Sequence, residues 1–309
     1  MTTQSVSGIQ GCEICCIGHI TLDKIITPHF TKEMPGGTAY YFAKALKGFE
    51  HSGFRLVTSI GSAEMGVIKE LQADGIDVTV IPSRQSVCFE NKYGDDMNDR
   101  TQRVLAKADP FMAEKLSGIE ARIFHLGTLL ADDFDLEVIK KLSGIGIVSV
   151  DVQGYLRKVV GECVVPVDYS MKKEALPYIS ILKANEMEMQ QLTGTDDPHK
   201  AARILSDWGC QEVLLTLGDK GSVIYAGGTF YQIPAFTPHA LVDATGCGDT
   251  YMAGYLYMRS RGASYEKAGT FAAAMCSIKL SGSGPLDATE DDVMAFISKH
   301  SYLVDATPR

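Results

Sequence analysis

No apolar run in this chain approaches the roughly 20 residues that a membrane-crossing helix needs, so the sequence gives no sign of a span. The opening MTTQSVSGIQ also lacks the basic-then-apolar order of a secretory leader. Basic residues are the minority: 29 Lys and Arg stand against 38 Asp and Glu, for a net charge of −9. That deficit argues against a general nucleic-acid or anionic-membrane surface, but not against a local site for one small anion. The eight cysteines lack the spacing of a disulfide framework, which predicts reduced thiols in a cytoplasm. Cys12, Cys15 and Cys16 contain a C-x-x-C, yet no second pair with zinc spacing follows. The run ICCIGH reads instead as a buried strand in which cysteine serves as a small hydrophobe. Three anion motifs are missing too. There is no G-x-x-x-x-G-K-[ST], no protein-kinase signature, and no G-x-G-x-x-G at the late glycine turn, where Tyr251 stands at the third glycine position. A dinucleotide-binding oxidoreductase therefore lacks its fingerprint.

What is present is an alternation of short apolar runs with longer helical patterns. Candidate strands fall at 13–18, 55–61, 122–127, 146–151, 179–184 and 212–218. Several are apolar throughout, as strands covered on both faces must be. Helical patterns separate them at 38–49, 64–73, 134–142, 186–193 and 198–208. The alternation predicts an α/β, doubly wound fold: a mostly parallel sheet with helices on both faces. After Leu217, GSVIYAGGTFYQIPAF reads as a hairpin turning at Gly227-Gly228, and three helices over 248–261, 265–280 and 290–299 close the chain. With no repeat, low-complexity segment or linker, 1–309 reads as a single domain. Two segments, KIITPHFTK and QSVCFENKYGDDMNDRTQRVL, look like strands without following helices, with GDDMND as a turn. They predict a small β lid over about 24–35 and 85–105, or a surface hairpin.

The least ordinary stretch is VDATGCGDTYMAGYLY, residues 242–257. A glycine-rich turn enters a helix there with a carboxylate on its first turn. A helix N-terminus carries free N–H groups and a positive dipole end, and so suits an anion. Thr245, Gly246, Cys247 and Gly248 are positioned to present successive amides, and the glycines let the backbone approach closely. Asp249 beside such a turn fits phosphoryl transfer to an alcohol, accepting the hydroxyl proton while the amides hold the phosphate. It fits equally a charge that merely complements the helix dipole.

Together with that turn, several motifs resemble the ribokinase-like, or PfkB, family of carbohydrate kinases, in the family's order and over nearly the whole chain. The resemblance implies that Asp249 is the catalytic base, that 244–248 carry the anion hole, and that Asp243 lies near the metal ions. GGTAYYFAKAL matches the family's N-terminal glycine pair, giving Gly36 and Gly37. KANEMEM is similar to its N-x-x-E motif, giving Asn185 and Glu188 for magnesium and phosphate. LTLGDKGSVIY is similar to its nucleotide-binding strand and turn, giving Thr216, Gly218 and Gly221. GHITLDK puts Asp23 where the family binds sugar hydroxyls. The cofactors implied are ATP, Mg2+ and a monovalent cation, K+, near Asp243 and the loop 281–284, with adenine near Ala273 and Cys276.

Two departures from the family pattern bear on the acceptor. Tyr41, beside Tyr40, stands where the family often has Asn, and GSAEMG replaces the usual G-x-D-x-x-G. Both argue against a ribose- or fructose-type substrate. The runs NDRTQRVLAKADPF and VDVQGYLRK resemble the inositol-kinase branch, which adds Arg100, Asp151, Gln153 and Arg157 as candidate acceptor residues. The expectation is an ATP-dependent kinase acting on a sugar or polyol, such as the cyclitol myo-inositol, and forming a homodimer through its lid. The alternative is a catalytically inactive sugar- or nucleotide-binding regulator of the same fold.

Overall fold

The run CEICCIG forms the first strand, β1 (Cys12–Gly18), and its last five residues are buried. Alternate side chains on a strand point to opposite faces. Ile14 and Cys16 accordingly enter one core, and Cys15 and Ile17 the other. The cysteine cluster is packing for a strand covered on both sides.

The computed structural model describes residues 11–49, 53–93 and 100–300, with the backbone alone at Tyr93 and Arg100. The strands after β1 are β2 (Thr21–Ile26), β3 (Thr31–Gly36), β4 (Phe54–Ile60), β5 (Asp77–Pro82), β6 (Val87–Tyr93), β7 (Arg100–Ala106) and β8 (Ala121–Gly127). Then come β9 (Ile147–Asp151), β10 (Arg157–Val160), β11 (Cys163–Pro166), β12 (Ile181–Asn185), β13 (Glu212–Thr216), β14 (Ser222–Ala226) and β15 (Thr229–Ile233). The helices are α1 (Thr38–Ala45), α2 (Met65–Ala73), α3 (Leu136–Ser143), α4 (Lys172–Ala175), α5 (Glu186–Thr193), α6 (Pro198–Asp207), α7 (Cys247–Ser260), α8 (Tyr265–Leu280) and α9 (Glu290–Lys299). None is long and apolar enough to cross a membrane.

Nine strands form the main sheet in the order β15-β14-β13-β12-β9-β8-β1-β4-β5. From β5 to β13 the pairings are parallel, and the hairpin β14–β15 closes the far edge antiparallel. Helices α1, α2, α7, α8 and α9 share one core with the sheet, and α3 to α6 share the other. This is the doubly wound α/β layout that the alternation predicts.

A second sheet of six strands, ordered β10-β11-β7-β6-β2-β3, forms the lid. The segments read as lid strands do pair outside the main sheet. Their strands begin at Thr21 rather than 24, because β2 leaves β1 after only two residues. Two short strands, β10 and β11, join the lid unanticipated; each has four residues, and they turn tightly at Gly161 (φ 63°). Edge strand β5 was also missed, since its partly exposed DVTVIP lacks the continuous apolar character of its neighbours. The turn GDDMND lies outside the described residues. The lid rises where β1 and β9 end, so the crevice beneath it lies at the carboxyl ends of parallel strands, where open α/β sheets carry their sites.

Candidate active site

Beneath the lid, Asp23 sits on β2 and accepts a hydrogen bond from the Thr21 hydroxyl at 2.7 Å. A Cβ on Gly36 would lie 2.6 Å from Asp23 Oδ2, so glycine is what lets the strands carry the carboxylate there. Gly37 caps α1 at φ 85°, tight against the His19 carbonyl. One turn into α1, the buried Tyr41 ring reaches under the glycine turn, 2.2 Å from where a Cβ on Gly246 would begin. Burial and the charges of Asp243, Asp23 and Asp249 push the Tyr41 hydroxyl's pKa upward. Tyr41 thus adjoins both the Asp23 side and the glycine turn.

The turn itself is tied from within. Asp243 Oδ1 accepts from the Thr245 amide at 2.9 Å, and Oδ2 from the Gly284 amide at 3.2 Å. The Cys247 amide donates to the Ala244 carbonyl at 3.2 Å, and that of Thr250 to Gly246 at 2.9 Å. The amides of Thr245 and Cys247, expected to face an anion, are therefore committed inside the turn. Their geometry is that of an Asp-anchored tight turn, which sequence spacing alone does not reveal. Among the described residues, the amides of Ala244, Gly246, Gly248 and Asp249 are the ones in this turn without a partner. Gly246, at φ 77°, is the cap of α7. Burial works against the charge of Asp243, but the Thr245 and Gly284 amides and Lys279 outweigh it and hold its carboxyl below the usual range. The Lys279 ammonium, wholly buried at the end of α8, donates to the Asp243 carbonyl at 2.6 Å and lies 3.2 Å from Oδ2.

Asp249 stands on the first turn of α7, where Thr38 favours its charged form. Burial, reinforced by the Asp151 charge and opposed by Lys183, pushes its pKa up to about 7. Behind it, the Lys183 ammonium lies 2.9 Å from Asp151 Oδ2 and 3.8 Å from Glu188 Oε2. Burial opposes the lysine's charge, but the two carboxylates outweigh it and raise its pKa. Asp151 Oδ1 accepts from the Gln153 amide at 3.1 Å. The structure thus places Asp151, read as an acceptor residue, as the counter-ion of Lys183. Lys183 itself escaped the sequence reading. Its signal was there: a lysine inside the otherwise apolar strand ILKAN, which only a buried partner can make tolerable.

The N-x-x-E motif is a reciprocal helix cap. Asn185 Oδ1 accepts from the Glu188 amide at 2.9 Å, and Glu188 Oε2 accepts from the Asn185 amide at 2.8 Å. Burial pushes the Glu188 pKa up, against the pull of Lys183, while Arg157 at the start of β10 contributes a weaker opposing charge. The side chain of Arg100 lies outside the described residues. No three His, Cys, Asp or Glu side chains converge as a metal cluster among the described residues.

A cavity of about 840 Å³ opens beside this turn, lined by Asn185, Thr216, Gly218, Gly221 and Gly248 and floored by Tyr251, Ala273 and Cys276. The candidate nucleotide residues therefore do converge. Gly221 (φ 86°) admits no side chain, since a Cβ would lie 2.1 Å from the Ile233 carbonyl. The Cys276 thiol donates to the Cys247 carbonyl, tying α8 to the first turn of α7.

A family model described as pfkB family carbohydrate kinase matches residues 13–292. A cytidine kinase from Thermococcus kodakarensis is 29% identical over 275 residues, covering 82% of this chain and 91% of that protein. A pyrophosphate-dependent kinase of the ribokinase family, solved with a pyrophosphate analog and myo-inositol, is 28% identical. It superposes with a TM-score of 0.80 over 91% of this chain and 99% of its own. Arabidopsis thaliana ribokinase, solved with ribose and ATP, shares the fold at a TM-score of 0.75 and 20% identity, over 93% of this chain and 99% of its own. The chain belongs to the pfkB family of carbohydrate kinases, and its activity is that of a ribokinase-family sugar or nucleoside kinase.

Proposed function

We propose that this pfkB-family kinase transfers the terminal phosphoryl group of ATP to a hydroxyl of a polyol, with a cyclitol such as myo-inositol as the preferred acceptor. The observation that carries the reading is the contiguity of three parts. Asp249, poised near pH 7, stands beside the free amides of Gly246 and Gly248. The large apolar cavity opens on the donor side. Asp23 lies on the acceptor side, with the buried Tyr41 ring packed between it and the glycine turn.

In the reaction, Asp249 accepts the acceptor's hydroxyl proton as that oxygen forms its bond to the γ-phosphorus and the bond to the leaving diphosphate breaks. The amides of Gly246 and Gly248 hold the transferring oxygens, and Lys183 offsets charge from behind. Mg2+, which Glu188 would help to hold, would supply charge neutralisation at the transferring phosphates. Glu188, with one oxygen already engaged at the cap, suits an ion that keeps several waters. A cavity of about 840 Å³ suits a nucleoside better than bare pyrophosphate, which would leave most of it empty.

On the acceptor side, Asp23 can take hydrogen bonds from adjacent hydroxyls; Tyr40 and Tyr41, expected from their place beside the glycine pair to wall the acceptor, are buried in the core instead. The myo-inositol-bound neighbour supports the choice of a cyclitol. A second reading, a nucleoside acceptor, is favoured by the cytidine-kinase relative. The test is kcat/KM for myo-inositol, ribose, fructose, cytidine and adenosine, each with Mg-ATP and with pyrophosphate. Higher efficiency with a nucleoside or monosaccharide overturns the cyclitol assignment. Higher efficiency with pyrophosphate overturns ATP. No turnover with any pair favours the inactive regulator.

A further inference from the structure

The family resemblance implies a diffusible monovalent cation beside Asp243, but the residues present do not fit one. The Lys279 side chain is 0% exposed, and its ammonium holds the Asp243 carbonyl at 2.6 Å and stands 3.2 Å from Oδ2. The Gly284 amide points at that same Oδ2, and the Thr245 amide at Oδ1. The oxygens an ion would bind already face an ammonium and two N–H dipoles. A second cation there would meet like charge in a poorly solvated place.

We propose that Lys279 is a tethered replacement for the monovalent cation: its ammonium carries the single positive charge that braces the glycine turn, so the enzyme needs no K+. The geometry gives that charge a route to the chemistry. Lys279 grips the first residue of the turn, Asp243 fastens Thr245 in turn, and the next residues carry the free amides of Gly246 and Gly248. Its charge also reaches Cys247, the first residue of α7, where it opposes the burial that raises the thiol's pKa. A lysine at the end of α8 sits at that helix's negative dipole end, a favourable place for a cation. Lys279 acts through the turn and touches no reacting atom, so it is a positioning residue.

The experiment uses the full chain in KCl, NaCl or choline chloride at matched ionic strength, and reads both thermal midpoint and turnover. The kinetic arm rests on the kinase reading; the thermal arm does not, so an enzyme idle with every acceptor still reports on Lys279. Wild-type protein is expected to show the same midpoint and rate in all three salts. Lys279→Met is expected to lose kcat by about 10²-fold, the scale of one preorganised electrostatic contact, with a smaller change in the acceptor KM. Lys279→Ala, which leaves space as well as removing charge, is expected to recover midpoint and rate in K+ or ammonium but not in choline. Specific stabilisation or activation of the wild type by K+ overturns the proposal, as does a Lys279→Met enzyme with wild-type kcat. If neither variant folds, the wild-type salt series decides alone.

Discussion

The Lys183 ammonium lies 2.9 Å from Asp151 Oδ2, with neither side chain more than 6% exposed. Removing one partner of such a pair strands a buried charge, which costs about 3–5 kcal/mol. Lys183→Met should lose about that much in urea unfolding, and Lys183→Met/Asp151→Asn should recover part of it. Because Lys183 also holds the Asp249 pKa down against burial, the single variant should need higher pH for activity. A double variant no more stable than the single would show that the two do not act as a unit.

Asp249→Asn should keep the fold and ATP binding while kcat falls by about 10²–10⁴-fold, the range for a positioned base. In wild type, kcat/KM should rise with pH through about 7, as the raised carboxyl loses its proton. The stability effect has the opposite sense. The folded state takes up a proton that the unfolded chain, with an ordinary Asp pKa of 3.8, does not. The Asn variant should therefore be at least as stable above pH 7, with its advantage shrinking as pH falls toward 4. Melting curves across pH check this, and a variant with near-normal turnover would remove Asp249 from the chemistry.

Gly246→Ala and Gly248→Ala should differ. At φ 77° an alanine costs about 1–2 kcal/mol in backbone strain, and at Gly246 the added carbon would also strike the Tyr41 ring. At Gly248 the nearest atoms to the Cβ belong to side chains, Lys183 Nζ at 3.0 Å and Asp151 Oδ2 at 3.8 Å, and the backbone needs no positive φ. Gly246→Ala should lower both stability and activity. Gly248→Ala should fold nearly normally yet lose turnover, because it crowds a free amide. A fully active Gly248→Val protein would make the turn merely structural.

Asp23→Ala should raise the acceptor KM or abolish turnover while leaving ATP binding intact. Losing charge-assisted hydrogen bonds worth about 1.5–3 kcal/mol predicts a drop of about 10- to 100-fold in kcat/KM. An equal loss in ATP affinity would mean that Asp23 supports the lid rather than the acceptor.

The lid leaves the outer edges of β10 and β3 unpaired within the sheet, and Phe30 and Val160 are each more than half exposed. Exposed edges need cover, and a second subunit would supply it. Sedimentation at micromolar concentration should give a dimer mass; a monomer would count against lid pairing.

Apolar strands covered on both faces and helices with marked starts were the legible elements. The chain's pattern predicts α5, α8 and α9 to the residue, since capping residues Asn185, Ser264 and Thr289 mark their starts. Strands β5, β10 and β11 were not legible, because partly exposed strands of four to six residues carry little periodic signal. For the site, motif spacing located Asp249 and the glycines but not which amides stay free, since Asp243 and Ala244 claim two of them by local turn geometry. Lys183 and Lys279 were missed for another reason: spacing along the chain says nothing of which distant carboxylate will neutralise a buried lysine.

The strand order of the lid dictates when it can assemble. Its six strands come from three separate stretches, with β2 pairing parallel to β6 and β11 pairing back to β7. Each of those pairings closes a long loop that no local turn can pre-organise. Between the stretches run β4, β5, β8 and β9, all members of the main sheet. Where the body consolidates first, it brings the three stretches together, and the lid is then the last part of the molecule to form and the first to come apart. A chain folding in that order would hold the cavity beside the glycine turn before it had a lid to place Asp23 over the crevice.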